Sequence, residues 1–314
     1  MKLSRTTEGI VLGIISAVFY GLNPLFALPL YEEGMNPDSV LFYRYGFAIV
    51  LLAVLLKLQR QPLSLPRKDI VPIAVMGLLF SASSLFLYLS FLYMDAGLAC
   101  TILFVYPILV ALIMFLFFHE RLSFTGILCI LLALSGILLL YEGDGSGTVS
   151  TTGVVLVLFS SLSYAIYIVG VNKSSLKRLH TGKLTLFALL FGIIIYAVRL
   201  DFLTSLQPVP SAGAGLRLFA MAFLPTIVSL VCMTAAVHRI GSTVTAVLGA
   251  LEPVTALVIG VMLFNETITP RITAGVILVI GAVTLIILGD TASKAAKRWF
   301  ARITAHIAGR HGSE

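Results

Sequence analysis

Residues 70–118 read IVPIAVMGLLFSASSLFLYLSFLYMDAGLACTILFVYPILVALIMFLFF and contain one charged side chain, Asp95. A membrane-spanning helix needs about 20 mostly apolar residues to cross about 30 Å of hydrocarbon. Divided at Met94 and Asp95, this run provides two such segments, 70–93 and 96–118. Strands of a membrane barrel would be about 10 residues long and would alternate in polarity. The run therefore predicts two adjacent transmembrane helices.

The same pattern extends to both sides of this run, and the whole chain is built in the same way. Hydrophobic residues make up 59% of the 314 residues and charged residues only 11%, against about 25% charged in an average globular chain. This excludes a soluble enzyme, a disordered chain and a secreted disulfide scaffold. We predict an all-α integral membrane protein with ten transmembrane helices. The ten predicted spans are 8–30, 39–57, 70–93, 96–118, 123–141, 153–172, 183–200, 215–237, 241–264 and 272–289.

The positive charges of the loops predict the orientation, because Lys and Arg collect on the cytoplasmic side of a membrane. With the N-terminus inside, 17 of the 21 Lys and Arg residues fall in cytoplasmic segments. Only Arg199, Arg217 and Arg271 fall outside, and Arg44 lies within a span. Both termini are therefore predicted to be cytoplasmic in a multi-pass protein of the inner membrane. The net charge of +7 is mainly a topology signal, and no nucleic-acid partner is expected.

The two halves of the chain resemble each other. Tyr20 aligns with Tyr164 at an offset of 144 residues, and Tyr106 aligns with Glu252 at an offset of 146. Five spans per half make the second half enter the membrane from the opposite side, which is the inverted repeat of many secondary transporters. We predict a first repeat over 1–145 and a second over 146–290.

Several motifs resemble those of EamA-type, ten-helix members of the drug/metabolite transporter superfamily. The resemblance covers about residues 8–289 and implies a central cavity, alternating access and the export of amino acids or other small metabolites. The chain departs from the family at His119 and Asn265, where the family usually has Gly before Glu. The matching segments are Asn36-Pro37 with Phe42-Tyr43-Arg44, Tyr106-Pro107 through His119-Glu120, and Leu251-Glu252-Pro253 through Phe264-Asn265-Glu266.

Two charged residues inside the spans are candidate binding residues, since a charge at membrane depth is costly and often functional. Glu252 lies near the middle of the ninth predicted span, next to Pro253. It is either a carboxyl bonded to another helix or a cation or proton site in a cavity. Arg44 either reaches the outer headgroups or binds a carboxylate, of the substrate or of the protein.

Polar side chains within the spans complete the candidate site. Their hydroxyl groups either bond to neighbouring backbone or line a wet cavity. Asn23, next to Pro24, interrupts the first span. The candidate substrate-binding residues are Glu252, Arg44, Tyr20, Asn23, Tyr88, Tyr106, Tyr164, Tyr167 and Ser160.

Other features predict structure. Small residues at positions 9, 13, 17 and 21 should let another helix approach closely. Glu120 and Glu266 are repeat mates that should cap the helix that follows each of them. The basic segment 291–314 is either an interfacial amphipathic helix or a disordered tail.

The leading functional hypothesis is a secondary transporter that exports small metabolites, above all amino acids. A single Arg, a single Glu and several Tyr offer a partner to each part of an amino acid. An exporter of hydrophobic cations is the alternative, through Glu252 and cation–π contacts, and an intramembrane enzyme lacks the zinc or nucleophile motifs it would need. No cofactor or metal is expected, and the sequence leaves proton coupling open. The protein is expected to be a monomer or weak homodimer in the bilayer.

Overall fold

A computed structural model describes residues 4–119, 124–140, 150–285 and 288. The regular elements in these ranges are helices. Glu120 and the segment 291–314 lie outside the described residues. The helices are α1 Arg5–Gly21, α2 Asn23–Glu32, α3 Pro37–Leu58, α4 Arg67–Ser90, α5 Ala96–Leu103, α6 Tyr106–Phe118, α7 Phe124–Leu140, α8 Thr151–Lys173, α9 Thr181–Arg199, α10 Ala212–Met221, α11 Ser229–Leu248, α12 Leu251–Phe264 and α13 Pro270–Leu285.

Seven helical segments are long and apolar enough to cross a membrane, and three shorter apolar helices accompany them. Each of the ten predicted spans overlaps one of these segments. The seven long segments are Arg5–Glu32, Pro37–Leu58, Arg67–Ser90, Ala96–Phe118, Thr151–Lys173, Thr181–Arg199 and Ala212–Gly241, and the shorter ones are Gly126–Leu140, Leu251–Phe264 and Pro270–Leu285.

Proline residues account for breaks within the spans. A proline has no N–H to donate and its ring disturbs the preceding turn, so a helix restarts most easily just before it. Accordingly α2 begins just before Pro24, α6 just before Pro107 and α12 two residues before Pro253. Pro225 lies in a π-helical turn, Ala222–Val228, between α10 and α11.

The prediction of one continuous helix over 241–264 is wrong. Gly241 has φ +82°, a left-handed backbone conformation that favours glycine, and the helix ends and restarts between Leu248 and Leu251. Glu252 is therefore the second residue of α12 instead of a mid-helix residue.

The small residues of α1 let another helix approach closely, as predicted, and the structure shows that this helix belongs to the second half of the chain. A methyl group at Gly13 would lie 2.6 Å from Leu248 Cδ1, and one at Gly9 would lie 2.5 Å from Ile240 Cγ2. At Gly21 it would lie 2.7 Å from the Glu252 carbonyl oxygen. The missing side chains thus let α1 pack closely against α11 and the start of α12.

Other helix pairs also join the two halves. Helix α4 packs against α8 and α9, and α5 packs against α12. A methyl group at Gly77 would lie 2.6 Å from the Ala188 carbonyl oxygen, so α4 and α9 are in backbone contact. The halves are interleaved instead of forming two separate bundles.

The ends of α6 and α12 have the same backbone geometry. His119 has φ 54° and ψ 27°, and Asn265 has φ 54° and ψ 29°. These are left-handed C-caps, a conformation in which glycine is preferred. The two residues are 146 positions apart, as the repeat predicts.

Glu266 caps a helix, but not the one that follows it. Its Oε1 accepts a hydrogen bond from the Ala96 N–H at 2.8 Å, at the start of α5. The following helix, α13, is capped by Thr269, whose Oγ1 accepts from the Ile272 N–H at 3.2 Å. The predicted role of Glu266 is thus corrected to a cap that joins the two halves.

Candidate functional site

Three helix breaks surround a central cavity. The breaks before Asn23, Tyr106 and Leu251 all lie at its wall, and the cavity encloses about 130 Å³ that water-sized molecules can occupy. Interrupted membrane helices commonly form substrate sites, because unwound backbone is tolerated only where it lines a cavity or is buried in protein. The lining residues are Tyr20, Gly21, Asn23, Phe80, Ser83, Ser84, Leu87, Cys100, Leu103, Phe104, Tyr106, Tyr164, Ser229, Met233, Glu252 and Pro253.

Glu252 is the one charged residue among these lining residues. Its backbone N–H donates to the Gly249 carbonyl oxygen at 2.9 Å, in the turn that starts α12. In the described part of the chain, no hydrogen bond or ion pair reaches its carboxylate. The side chain is half-buried and is available to a cationic group in the cavity.

Three predicted tyrosines line the same cavity. Tyr106 and Tyr164 contact each other edge to face, with ring centroids 4.7 Å apart. Tyr20 lies at the end of α1, next to the Gly21 contact with α12. Tyr20 and Tyr164 are repeat mates, as are Tyr106 and Glu252, so both pairs meet at one site.

Two predicted site residues lie behind the lining. Tyr167 stacks on Tyr164 at 5.9 Å between centroids and makes a tilted ring contact with Phe80 at 5.2 Å. Ser160 is fully buried and donates to the Ser83 carbonyl oxygen at 2.7 Å, where α8 packs on α4. The structure thus places Tyr167 and Ser160 in contact with lining residues and not among them.

Arg44 and Tyr88 form a separate buried cluster beside the cavity. Arg44 Nη1 donates to the Tyr88 hydroxyl at 2.7 Å, and that hydroxyl donates to Asn23 Oδ1 at 3.1 Å. Arg44 Nη2 has a long contact of 3.4 Å to Thr226 Oγ1, in the π-helical turn. Asn23, which lines the cavity, therefore connects it to the Arg44 cluster.

Several lining residues are not predicted from the sequence. Phe80, Phe104, Ser229 and Met233 line the cavity, yet apolar and hydroxyl residues occur throughout the spans. Only Ser229 had a local signal, since it follows the turn that contains Pro225.

Glu266 lies outside the spans, and its environment changes its acidity. The pKa of Glu266 is raised to about 7, chiefly by burial and also by the neighbouring Asp95 carboxylate, while the N–H groups of Ala96 and Gly97 oppose the rise. The carboxyl group therefore titrates near neutral pH while it caps α5.

The sequence profile of the EamA-like transporter family matches the chain twice, over residues 7–142 and 151–288. An uncharacterized transporter of Bacillus subtilis, YdfC, is 25% identical over 281 residues, which cover 88% of each chain. An uncharacterized transporter of Archaeoglobus fulgidus is 26% identical over 194 residues, 61% of this chain and 67% of that one. A solved structure titled only as a crystal structure of a protein has a similar fold, with a TM-score of 0.63 and 16% identity over 90% of this chain and 97% of its own.

Proposed function

The chain belongs to the EamA-like transporter family and is a multi-pass membrane transporter, and we propose that it exports small metabolites, above all amino acids, across the inner membrane. The observation that carries this proposal is the central cavity, which is lined by one carboxylate, Glu252, together with three tyrosines and two phenylalanines. A carboxylate binds the ammonium group of an amino acid, and the aromatic rings contact its side chain. No catalytic step is assigned to these residues.

The proposed architecture is ten crossings in two inverted repeats, 1–145 and 146–290, with both termini in the cytoplasm. The two family matches and the equal geometry at His119 and Asn265 support this division. Alternating access would then move the repeats about the cavity between them.

Hydrophobic cations are the second candidate substrates, and the charge of the lining residues favours them. No Lys, Arg or His is among the residues that the structure places at the cavity wall. A cation without a carboxylate needs only Glu252 and the faces of the aromatic rings.

Flux into proteoliposomes that contain the purified full chain tests both candidates. We expect uptake of a labelled amino acid mixture and a loss of about tenfold or more in Glu252→Gln, which keeps the shape of the side chain but not its charge. The matched control is Glu8→Gln, because Glu8 is an exposed carboxylate paired with Arg239. It should transport at the wild-type rate.

The outcomes separate the hypotheses. No flux of amino acids with flux of tetraphenylphosphonium would favour the cation exporter, and no flux of any solute would exclude transport. Equal flux per folded protein in Glu252→Gln would contradict the role of Glu252. Flux measured with and without a pH gradient decides proton coupling.

A further inference from the structure

Arg44 is a buried cation whose ionic partner is missing. Its side chain is 7% exposed, and its hydrogen-bond partners are the neutral hydroxyls of Tyr88 and Thr226. In the described ranges no carboxylate lies within 4.0 Å of it. A buried charge without a partner of opposite charge is costly, so a second group that supplies a negative charge would stabilise this arrangement.

One edge of the Arg44 guanidinium is open. Nε is buried and has no hydrogen-bond partner, and Nη2, on the same edge, has only the 3.4 Å contact with Thr226. Arg199 shows how this chain uses the same edge. Its Nε donates to Asp38 Oδ1 at 2.6 Å and its Nη2 donates to Oδ2 at 3.1 Å, the two-point pairing that suits a carboxylate.

The Arg44 cluster is linked to the central cavity. Asn23 lines the cavity and accepts a hydrogen bond from Tyr88, which accepts one from Arg44. Glu252 lines the same cavity as Asn23. A negative group and, through Tyr88 and Asn23, a positive group are therefore both connected to this cavity.

We propose that the open Nε–Nη2 edge of Arg44 binds the carboxylate of the substrate, so that a zwitterion is held between Arg44 and Glu252. This subsite rests on the proposed amino acid transport and deepens it. The Tyr88 bond to Nη1 remains in place. The π-helical turn Ala222–Val228, which carries Thr226, moves aside to admit the carboxylate, and such turns are frequent at functional sites.

Binding to the purified full chain in detergent tests this subsite without requiring transport. The probes are L-phenylalanine and phenethylamine, the same molecule without its carboxylate. We expect the wild type to bind phenylalanine about tenfold more tightly or better, because a two-point charged pair is worth that much. Arg44→Gln should remove this preference and change the affinity for phenethylamine less than about twofold.

Two further variants distinguish the loss of the carboxylate contact from a folding defect. Arg44→Lys keeps the buried charge but not the two-donor edge, and should lower the preference for phenylalanine about threefold or more. Arg239→Gln removes a half-exposed arginine that pairs with Glu8 and should leave the preference unchanged.

Several results would overturn the subsite. These are equal wild-type affinity for the two probes, binding of neither probe, an equal loss of both in Arg44→Gln, or an unchanged preference in Arg44→Lys. If chloride strengthens phenethylamine binding in the wild type but not in Arg44→Gln, the anion at Arg44 is chloride, and the proposal is wrong. If phenylalanine binds through Arg44 but is not transported, the subsite stands and the transport proposal alone fails.

Discussion

At the residue scale, positions related by the internal repeat converge on one cavity. Tyr20 and Tyr164 both line it, although 144 residues separate them, and so do Tyr106 and Glu252. The second pair has diverged from a common position into a phenol and a carboxylate. The site is therefore symmetric in position but not in charge, which suits a substrate with one cationic end.

The hydroxyl groups of the lining tyrosines should contribute to substrate affinity. A typical hydrogen bond is worth about 1 kcal/mol, so Tyr164→Phe should raise the KM for uptake about fivefold. Proteoliposome uptake over a range of substrate concentrations measures this.

The matched control is Tyr196→Phe. The Tyr196 hydroxyl is fully buried and donates to the Ser81 carbonyl oxygen, so its loss should lower thermal stability without changing KM. An unchanged KM in Tyr164→Phe would exclude a role for that hydroxyl in substrate binding.

Sequence alone identified residue types but not the faces on which they lie. Tyr164 and Tyr167 are three residues apart on α8 and both were candidates, yet only Tyr164 reaches the cavity. A uniformly apolar helix carries no polar face to mark its orientation. The rotation of α8 is set by its packing on α4 and α6, which the sequence does not specify.

At the element scale, close helix contacts depend on particular glycines. Gly21→Ala would place a methyl group 2.7 Å from the Glu252 carbonyl oxygen, where the backbone cannot yield easily. We expect a loss of about 1–3 kcal/mol of stability and a lower melting temperature in detergent.

Gly46→Ala is the opposite case. Nothing lies within 4 Å of the added methyl group, and alanine in a helix interior is favoured over glycine by about 0.5–1 kcal/mol. The melting temperature should stay the same or rise. A similar fall in both variants would show that the Gly21 contact is not specific.

The Glu266 cap should make stability depend on pH. Since its pKa is raised from 4.5 to about 7, the folded state holds a proton that the unfolded state has already lost between these values. The free energy of unfolding should therefore fall as pH rises from about 4.5 to about 7 and level off above that.

Thermal unfolding of the wild type and Glu266→Gln over this pH range measures the effect. Glutamine keeps an acceptor for Ala96 but does not titrate, so the variant should lose this part of the pH dependence. The same slope in both proteins would contradict the assignment to Glu266.

Helix breaks were partly predictable. The sequence predicts that Asn23-Pro24 interrupts the first span, and the structure has a break there. The break before Leu251 lies inside a span that was predicted as one helix. The bend at Gly241 was missed, because an isolated glycine in an apolar helix has several uses. In the structure the residue before it, Ile240, lies against Gly9 of α1.

At the scale of the whole molecule, one loop joins the halves on the side predicted to be outside. Gln207 accepts from the Asn36 N–H at 2.6 Å and donates to the Gly34 carbonyl oxygen at 3.1 Å. Ion pairs of Arg199 with Asp38 and of Arg217 with Glu33 flank it. We expect these contacts to keep the outer side of the cavity closed.

Labelling of Cys100 tests that closure, since Cys100 lines the cavity. With Cys129 and Cys232 replaced by alanine, Gln207→Ala should speed the reaction of Cys100 with a membrane-impermeant thiol reagent added outside, by about threefold or more, because two hydrogen bonds are lost.

Gln59→Ala, at the other end of α3, is the control and should leave the labelling rate unchanged. If Gln207→Ala also leaves it unchanged, the loop does not hold the outer side closed.

The sequence predicted the helical fold class, and each of its ten predicted spans overlaps a helical segment of the structure. It could not predict how the halves interleave. Lipid-facing and partner-facing surfaces are both apolar, so a span such as α4 shows no preference in its sequence between α8 and another neighbour. One packing contact was predictable. Close approach of two helix backbones requires small residues at the contact, and α1 has them at positions 9, 13, 17 and 21.

The pairing of α1 with α11 has a consequence for biogenesis. Glu8 contacts Arg239 across 231 residues, so α1 lacks its main packing partner, α11, until those residues have been synthesised. At about 5–20 residues per second, that delay is roughly 10 to 50 s. During it, the glycine face of α1 is exposed to lipid or to the insertion machinery. The cavity can close only after α12, which carries Glu252, has been made.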